Sequence, residues 1–385
     1  MYGDIQFFST VDDFLKSNLA ELKSIHLGLS LLNQQHLYDL QQGLKKLENI
    51  NVLQIKIEID EKQIKDLNSI PSALVQLQNL KVLIIDLSYC FLGDDSICQL
   101  GSILAKLPNL TTLKLTLRQN DLCQNGAFRL LFALANSSTI SDLFVDLQNN
   151  QIQEKQAFIA ASTKCLNLTS LEYDLSYCMI TDELFENLYS TLRCFPNLQK
   201  LILGLDKNNF SYKEIQRLAI NLSEFTNLTS LTLYLLYNEL RAEGVCALGQ
   251  ALKKCKSLKY LLLEISFNDI GDQDITDLGS SLSNFENLNH LKLCLESNSM
   301  KGENMSQIVS ILVNSPRITT LELFLDKNQI GDEGSYTIGI ILKKSENLRV
   351  LTFYSIENQI CPLQKKLFKQ MLYKIKRVVK IEMFV

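Results

Sequence analysis

The chain has no tryptophan, three histidines, five prolines and fifteen glycines among its 385 residues. So little proline and glycine leaves no linker-like segment. The histidines, His26, His36 and His290, are widely separated and no C-x-x-C pair occurs, so the ten cysteines carry no zinc-site spacing. No run of 18 or more apolar residues occurs, and no transmembrane helix is expected. The first residues lack the basic start and apolar run of a secretory signal, and Asp4, Asp12 and Asp13 argue against a transit peptide. A cytosolic or cytoskeletal location is the expectation. A Gly-rich phosphate loop, a nucleophile elbow and a zinc-binding helix are all missing, so neither an enzyme nor a cofactor is indicated.

What the chain has is a repeat. The stretch Leu80-Lys-Val-Leu83-Ile-Ile85-Asp-Leu87-Ser-Tyr-Cys90-Phe-Leu92 returns along its whole length. Its anchor, Leu83, recurs as Ile25, Leu53, Leu113, Leu143, Leu171, Leu201, Leu231, Leu261, Leu291, Leu321, Leu351 and Ile381, thirteen copies spaced by 28 or 30 residues. A period of that size marks stacked structural units. Because the register is unbroken, one continuous domain over 1–385 is expected, although length alone suggests two or three.

Each copy changes period halfway. Apolar residues at the anchor and two and four positions beyond, as in Leu231-Thr-Leu233-Tyr-Leu235, predict a strand with one buried face. Three residues later stands Asn120, Asn150, Asn208, Asn238, Asn268, Asn298, Asn328 or Asn358, with Cys90 and Cys178 at the same place. An Asn amide both donates and accepts, so it can pair turn backbone groups beneath the stack. The second half follows a helical stripe, as in Ile97, Leu100, Leu104 and Leu107 or Leu67, Ile70, Leu74 and Leu77, and likewise from Phe185. Such a unit cannot bury its apolar face alone, so neighbours must stack, strands inside and helices outside.

These motifs resemble the leucine-rich repeat family, and the wide helical repeat with Asn/Cys alternation is similar to its ribonuclease-inhibitor subclass. One departure is consistent. An extra x-L pair, as in Leu258-Lys-Tyr-Leu261-Leu-Leu263-Glu-Ile265-Ser-Phe-Asn268, lengthens the strand and stretches the repeat to 30 residues. The resemblance covers residues 22–385. It implies an α/β fold, a right-handed βα horseshoe with about thirteen parallel strands on its concave face and helices on the convex face. Residues 1–21 read as a helical cap, opened by Ser9 or Thr10; 22–360 are the regular repeats; 361–385 are a basic helix and last strand. On activity the resemblance is nearly silent, since one fold hosts many functions.

The cysteines fit the repeat. Cys90 and Cys178 lie three repeats apart, about 14 Å at the usual strand spacing, too far for a disulfide. Cys255 takes a place in a helical stripe as a small hydrophobe. Two early copies break the ladder, with Leu32 and Asp60 where Asn is expected, and the copy at Leu143 is two residues short with Ala157 and Ala160 on its helix. The last strand keeps its apolar positions, and Lys365, Lys366, Lys369, Lys374, Lys376, Arg377 and Lys380 make that end basic.

Strand residues between the apolar ones point onto the inner face in three columns. They hold ten acids (Glu58, Asp86, Asp146, Glu172, Asp174, Asp206, Glu264, Glu296, Glu322, Asp326) and four bases (Lys56, Lys114, Arg118, Lys292). The whole chain has 42 acids to 38 bases, so the acid excess is concentrated there. An acidic face disfavours nucleic acid and attracts a basic protein segment. Tyr234, Leu236, Phe324 and Tyr354 add apolar area of the kind found at binding hot spots. The expected protein-binding site is therefore Asp146, Glu172, Asp174, Asp206, Tyr234, Leu236, Glu264, Glu296, Phe324, Asp326 and Tyr354. Asp146 and Asp174 are column neighbours, which makes a bridging calcium ion the one metal reading worth weighing, and no metal is expected.

Three functions fit. The first is a non-enzymatic scaffold gripping a protein partner with a basic or amphipathic segment, without nucleic acid or membrane. A structural subunit of a cytoskeletal, ciliary or organellar complex is the second. The third, by analogy with ribonuclease-inhibitor-like repeats, is a regulator of small GTPases. Such regulators commonly carry an acidic tail, and this chain ends basic.

Overall fold

The computed structural model describes residues 5–59, 69–152, 165–180, 188–271, 275–283, 285–375 and 377–385. They form two compact units, Met1–Leu198 and Gln199–Val385. Each is a run of seven parallel strands backed by helices, the α/β solenoid of leucine-rich repeat type.

In the first unit the strands are β1 Gln6–Phe8, β2 Ser24–Leu32, β3 Val52–Ile59, β4 Val82–Asp86, β5 Thr112–Thr116, β6 Asp142–Asp146 and β7 Ser170–Asp174. In the second they are β8 Lys200–Gly204, β9 Ser230–Tyr234, β10 Tyr260–Glu264, β11 His290–Cys294, β12 Thr320–Phe324, β13 Val350–Tyr354 and β14 Lys380–Phe384. Within each unit anchor meets anchor: Leu83 pairs with Leu113, Leu261 with Leu291, Leu351 with Ile381. The extra x-L pair continues the ladder beyond the fifth strand residue, with Leu87 N–H donating to Thr116 O and Tyr89 N–H to Arg118 O, both at 2.9 Å.

Thirteen anchors predict thirteen strands, and the fourteenth is β1. Three residues are too few to display alternation, so Gln6–Phe8 is invisible to a periodicity argument, yet it pairs with Ile25–Leu27 of β2. Phe8 is buried edge-on against Phe14 of the helix Val11–Lys16, ring centroids 5.6 Å apart. Thr10 caps that helix by accepting from Asp13 N–H at 3.1 Å. Leu32, standing where later copies have Asn, is buried, and the next residue, Asn33, instead caps the helix Gln34–Leu44 in a reciprocal box with His36.

The helices follow the stripes. In Tyr212–Leu222, Ile215, Leu218 and Leu222 are fully buried, while Ser211 and Glu214 form a capping box that satisfies the first turn. Sheet and helix layers interlock through large side chains. Tyr173 donates to Ala127 O at 3.4 Å, and Phe353 meets Phe368 edge-on at 5.2 Å. Asp60, Leu67, Ala157, Ala160 and Phe185 lie outside the described residues.

The Asn ladder forms as the amide chemistry requires. Asn268 Oδ1 accepts from Asn238 N–H and Leu240 N–H of the preceding repeat, and Asn268 Nδ2 donates to Leu235 O at 2.8 Å and Ser266 O at 2.9 Å. Asn120, Asn238, Asn298 and Asn328 repeat the pattern. Cys178 occupies the same slot differently. Its thiol donates to Leu147 O at 3.1 Å, and Ile152 N–H turns to the Cys178 carbonyl. A second asparagine series, not apparent from the strand motif, braces the loops ahead of the strands. Asn49, Asn79, Asn109, Asn197 and Asn287 each donate through Nδ2 to a carbonyl one repeat earlier, at 2.7–2.9 Å.

Candidate functional site

Strand alternation exposes one sheet face of each unit. In the first unit, register aligns Asp86, Thr116, Asp146 and Asp174 in one row across β4–β7. Arg118, one residue pair further along the chain, turns its Nε onto Asp146 Oδ2 at 2.6 Å. Gln148 Nε2 reaches Asp174 Oδ2 at 2.6 Å. The two carboxylates that a calcium ion would bridge are thus bonded to Arg118 and Gln148. Asp146 is buried, its side chain 2% exposed against 44% for Arg118. Burial raises the Asp146 pKa, with Gln148 N–H and the Arg118 guanidinium pulling against it. Glu172 and Asp174 are half-buried on the same face.

The second unit presents the row Gly204, Tyr234, Glu264, Cys294, Phe324, Tyr354 and Phe384. Three of its rings stack at the strand spacing: Phe324 on Tyr354 at 4.7 Å and Tyr354 on Phe384 at 4.8 Å. The Lys292 ammonium sits over the Phe324 ring at 4.6 Å, a cation–π contact. His290 Nε2 lies 2.7 Å from Glu322 Oε1 with Tyr260 edge-on to the imidazole. Burial raises the Tyr260 phenol pKa, and the Glu322 charge adds to the shift. Cys294 is buried, and its thiol pKa is driven far up, first by desolvation and then by Glu264. A thiol so held is a poor nucleophile.

Many of the acids have a structural task that the column count does not reveal. Asp86 Oδ1 accepts from Ser88 N–H, Asp146 Oδ1 from Gln148 N–H, Asp174 Oδ1 from Ser176 N–H and Glu264 Oε1 from Ser266 N–H, at 2.9–3.1 Å. Asp206 and Asp326 act across the step, accepting from Leu236 N–H at 2.7 Å and Ile356 N–H at 2.6 Å in the following repeat. The cause is the ladder itself. Asn238 Nδ2 occupies Leu205 O and Asn358 Nδ2 occupies Leu325 O, so the strand-end N–H groups of Leu236 and Ile356 find carboxylates instead. The repeated Asp-Leu-Ser at 86–88 and 174–176 is the sequence trace of this device.

Of the expected site residues, Tyr234, Leu236, Glu264, Glu296, Phe324, Asp326 and Tyr354 share the second unit's face with Asp206, and each is exposed or half-buried. Asp146, Glu172 and Asp174 occupy the first unit's face, where Asp146 is covered. Glu296 differs from the other acids. Its carboxylate has no hydrogen-bond or ion-pair partner among the described residues, and its pKa is raised by burial, then by Asp326 and Glu264. Residues absent from the expected site are Lys292, which the columns held as a base, and His290 and Phe384, which the columns did not include; their contacts depend on side-chain lean. Among the described residues no group of three or more His, Cys, Asp or Glu could hold a metal ion, and no helix is long and apolar enough to cross a membrane.

No family model matches the sequence, and no curated protein matches it. Solved structures do resemble it. The tropomodulin C-terminal domain of Caenorhabditis elegans is 13% identical and covers 43% of this chain and 93% of its own, with a TM-score of 0.30. The yeast Rad7 and Elc1 complex is 17% identical over 91% of this chain and 80% of that one, TM-score 0.43. The leucine-rich repeat-containing protein LegL7 from Legionella pneumophila is 15% identical over 88% of this chain and 97% of that one, TM-score 0.45.

Proposed function

We propose that the chain is a non-enzymatic protein-interaction scaffold of the ribonuclease-inhibitor-like repeat type, gripping a basic or amphipathic segment of a protein partner on its open sheet faces. The observation that carries this is the second unit's face, where stacked aromatics lie among carboxylates and Lys292 is the lone base in the three columns of β10–β14. Stacked rings supply apolar contact area without loss of flexible rotamers, and the surrounding negative field selects the sign of the partner.

Leu236 is half-buried and Ile356 is 41% exposed on this face, and neither side chain caps a backbone group. Leu236→Arg with Ile356→Arg therefore places bulk and positive charge on the surface while leaving the carboxylate caps intact. Affinity purification from native extract with the wild type and this variant tests the reading. The expected result is loss of specific partners from the variant; full retention of every partner assigns binding elsewhere. A cytoplasmic location and membership of a larger complex belong to the same reading, and fractionation with size-exclusion chromatography of native extract checks both.

A further inference from the structure

The row containing the aromatic stack has a step in it. Between Glu264 and Phe324 the register places Cys294, a small buried side chain, so the Phe324 ring has no aromatic neighbour in the row on that side. Tyr354 covers the ring from the β13 side, and Lys292 leans over it from β11. The ammonium therefore lies on the face that opens onto the step. Glu264, Lys292 and Glu296 all lie within electrostatic reach of the Cys294 thiol, and Asp326 and Glu264 within reach of Glu296. Three carboxylates here face two ammonium groups, Lys292 and Lys327, and Glu296 has no hydrogen-bond partner among the described residues.

We propose that this step is the subsite for an arginine side chain of the protein partner, a refinement that rests on the scaffold reading. The guanidinium plane lies against Phe324 in place of the Lys292 ammonium, and its N–H groups donate to Glu296. Arginine fits better than lysine on three counts: its planar head stacks on a ring, its several donors match a carboxylate, and it is the more weakly hydrated cation. Lys292, on a flexible four-carbon stem, returns to solvent when displaced. Charge complementarity also sets the occupant's sign, since the residual charge of the cluster is negative.

The test uses the full chain and three labelled twelve-residue Gly/Ser peptides, each carrying four arginines, four lysines or four citrullines, followed by fluorescence anisotropy. The arginine peptide is expected to bind about tenfold more tightly than the lysine peptide, and citrulline to bind least. Phe324→Leu erases the arginine preference, Glu296→Gln weakens the arginine peptide about fivefold, and Lys292→Met tightens it by removing the resident cation. Equal binding of arginine and lysine peptides overturns the subsite, as does no binding of either at millimolar concentration. Should Phe324→Leu fail to fold, the half-buried Lys292→Met decides: unchanged affinity also overturns it. Leu236→Arg with Ile356→Arg separates the two levels. If that variant weakens all peptides while the arginine preference is absent, the sheet-face reading stands and the subsite falls; if it too changes nothing, both fall.

Discussion

Arg118 and Asp146 are joined at 2.6 Å from adjacent repeats, and the burial is one-sided: the carboxylate is covered and the guanidinium half in solvent. Desolvation raises the Asp146 pKa from its ordinary value, so the native state holds that proton to higher pH than the unfolded chain. Its contribution therefore favours folding at low pH and is lost as pH rises through the raised value. Arg118→Ala leaves a buried carboxylate without its cation, which costs about 3 kcal/mol near neutrality and less as pH falls and Asp146 takes up its proton. Asp146→Asn keeps an oxygen for the Gln148 N–H and costs below about 1 kcal/mol. Urea midpoints for both variants at several pH values check this; equal losses at neutral pH would show that buried charge is not what matters there.

Asn268 serves four backbone groups, two as acceptor and two as donor. Asn268→Ala leaves the Asn238 and Leu240 N–H groups unpaired beneath the stack, while Leu235 O keeps Asn238 Nδ2 and Ser266 O keeps Tyr237 N–H, and the expected loss is about 3 kcal/mol. Asn268→Cys should recover part of that, because a thiol at the equivalent Cys178 still donates to the preceding repeat's carbonyl. Hydrogen exchange of Asn238 and Leu240 amides gives the local readout. Both should exchange faster in Asn268→Ala than in the parent, with the amides of β4 and β5 unaffected, since a solenoid loses stability through neighbours.

The strand and helix halves were legible because each writes its own period into the chain, and the Leu anchors count the repeats. β1 was not, because Gln6–Phe8 is shorter than the pattern that would reveal it. The face was legible as columns: Tyr234, Phe324 and Tyr354 stand in one row as the alternation requires. Their use was not. Whether a carboxylate meets solvent or a backbone N–H depends on which carbonyl the Asn ladder has already taken, a three-dimensional competition between Asn238 and the strand end at Leu236. Asp146 shows the same limit, since its outward position follows from alternation but its burial and its ion pair with Arg118 of the neighbouring repeat do not.

Two glycines near one helix junction separate space from backbone conformation. A Cβ on Gly334 would lie 2.5 Å from the Gly302 Cα, where the helices Gly302–Val313 and Gly331–Lys343 touch backbone to backbone. Gly334→Ala must push them apart and is expected to cost about 2–3 kcal/mol. Gly331 has φ +65° and nothing within 4 Å of its Cβ position. Gly331→Ala is charged only for the left-handed conformation, about 1 kcal/mol. Chemical denaturation of the two variants should rank them in that order, and a reversed ranking would show that the helices separate easily.

Asp326 tests whether the face's acids can be discharged without unfolding their strand ends. Its Oδ1 accepts from Ile356 N–H at 2.6 Å, while burial raises its pKa against that bond. Asp326→Asn retains an acceptor oxygen and removes the charge, so stability should change by less than about 0.5 kcal/mol. Asp326→Ala strands the Ile356 N–H beside a carbonyl already engaged by Asn358, and a loss of about 1–2 kcal/mol follows. Binding should sort the same pair differently. Both variants remove one negative charge from the face, so both should weaken a basic peptide and lower the salt dependence of its binding to a similar degree, although one is destabilised and the other is not. Thermal melts set beside peptide titrations at two ionic strengths distinguish the roles. If affinity follows stability instead of charge, Asp326 serves the strand end alone, and the negative field that attracts a partner must come from Glu296 and its neighbours on β10 and β11.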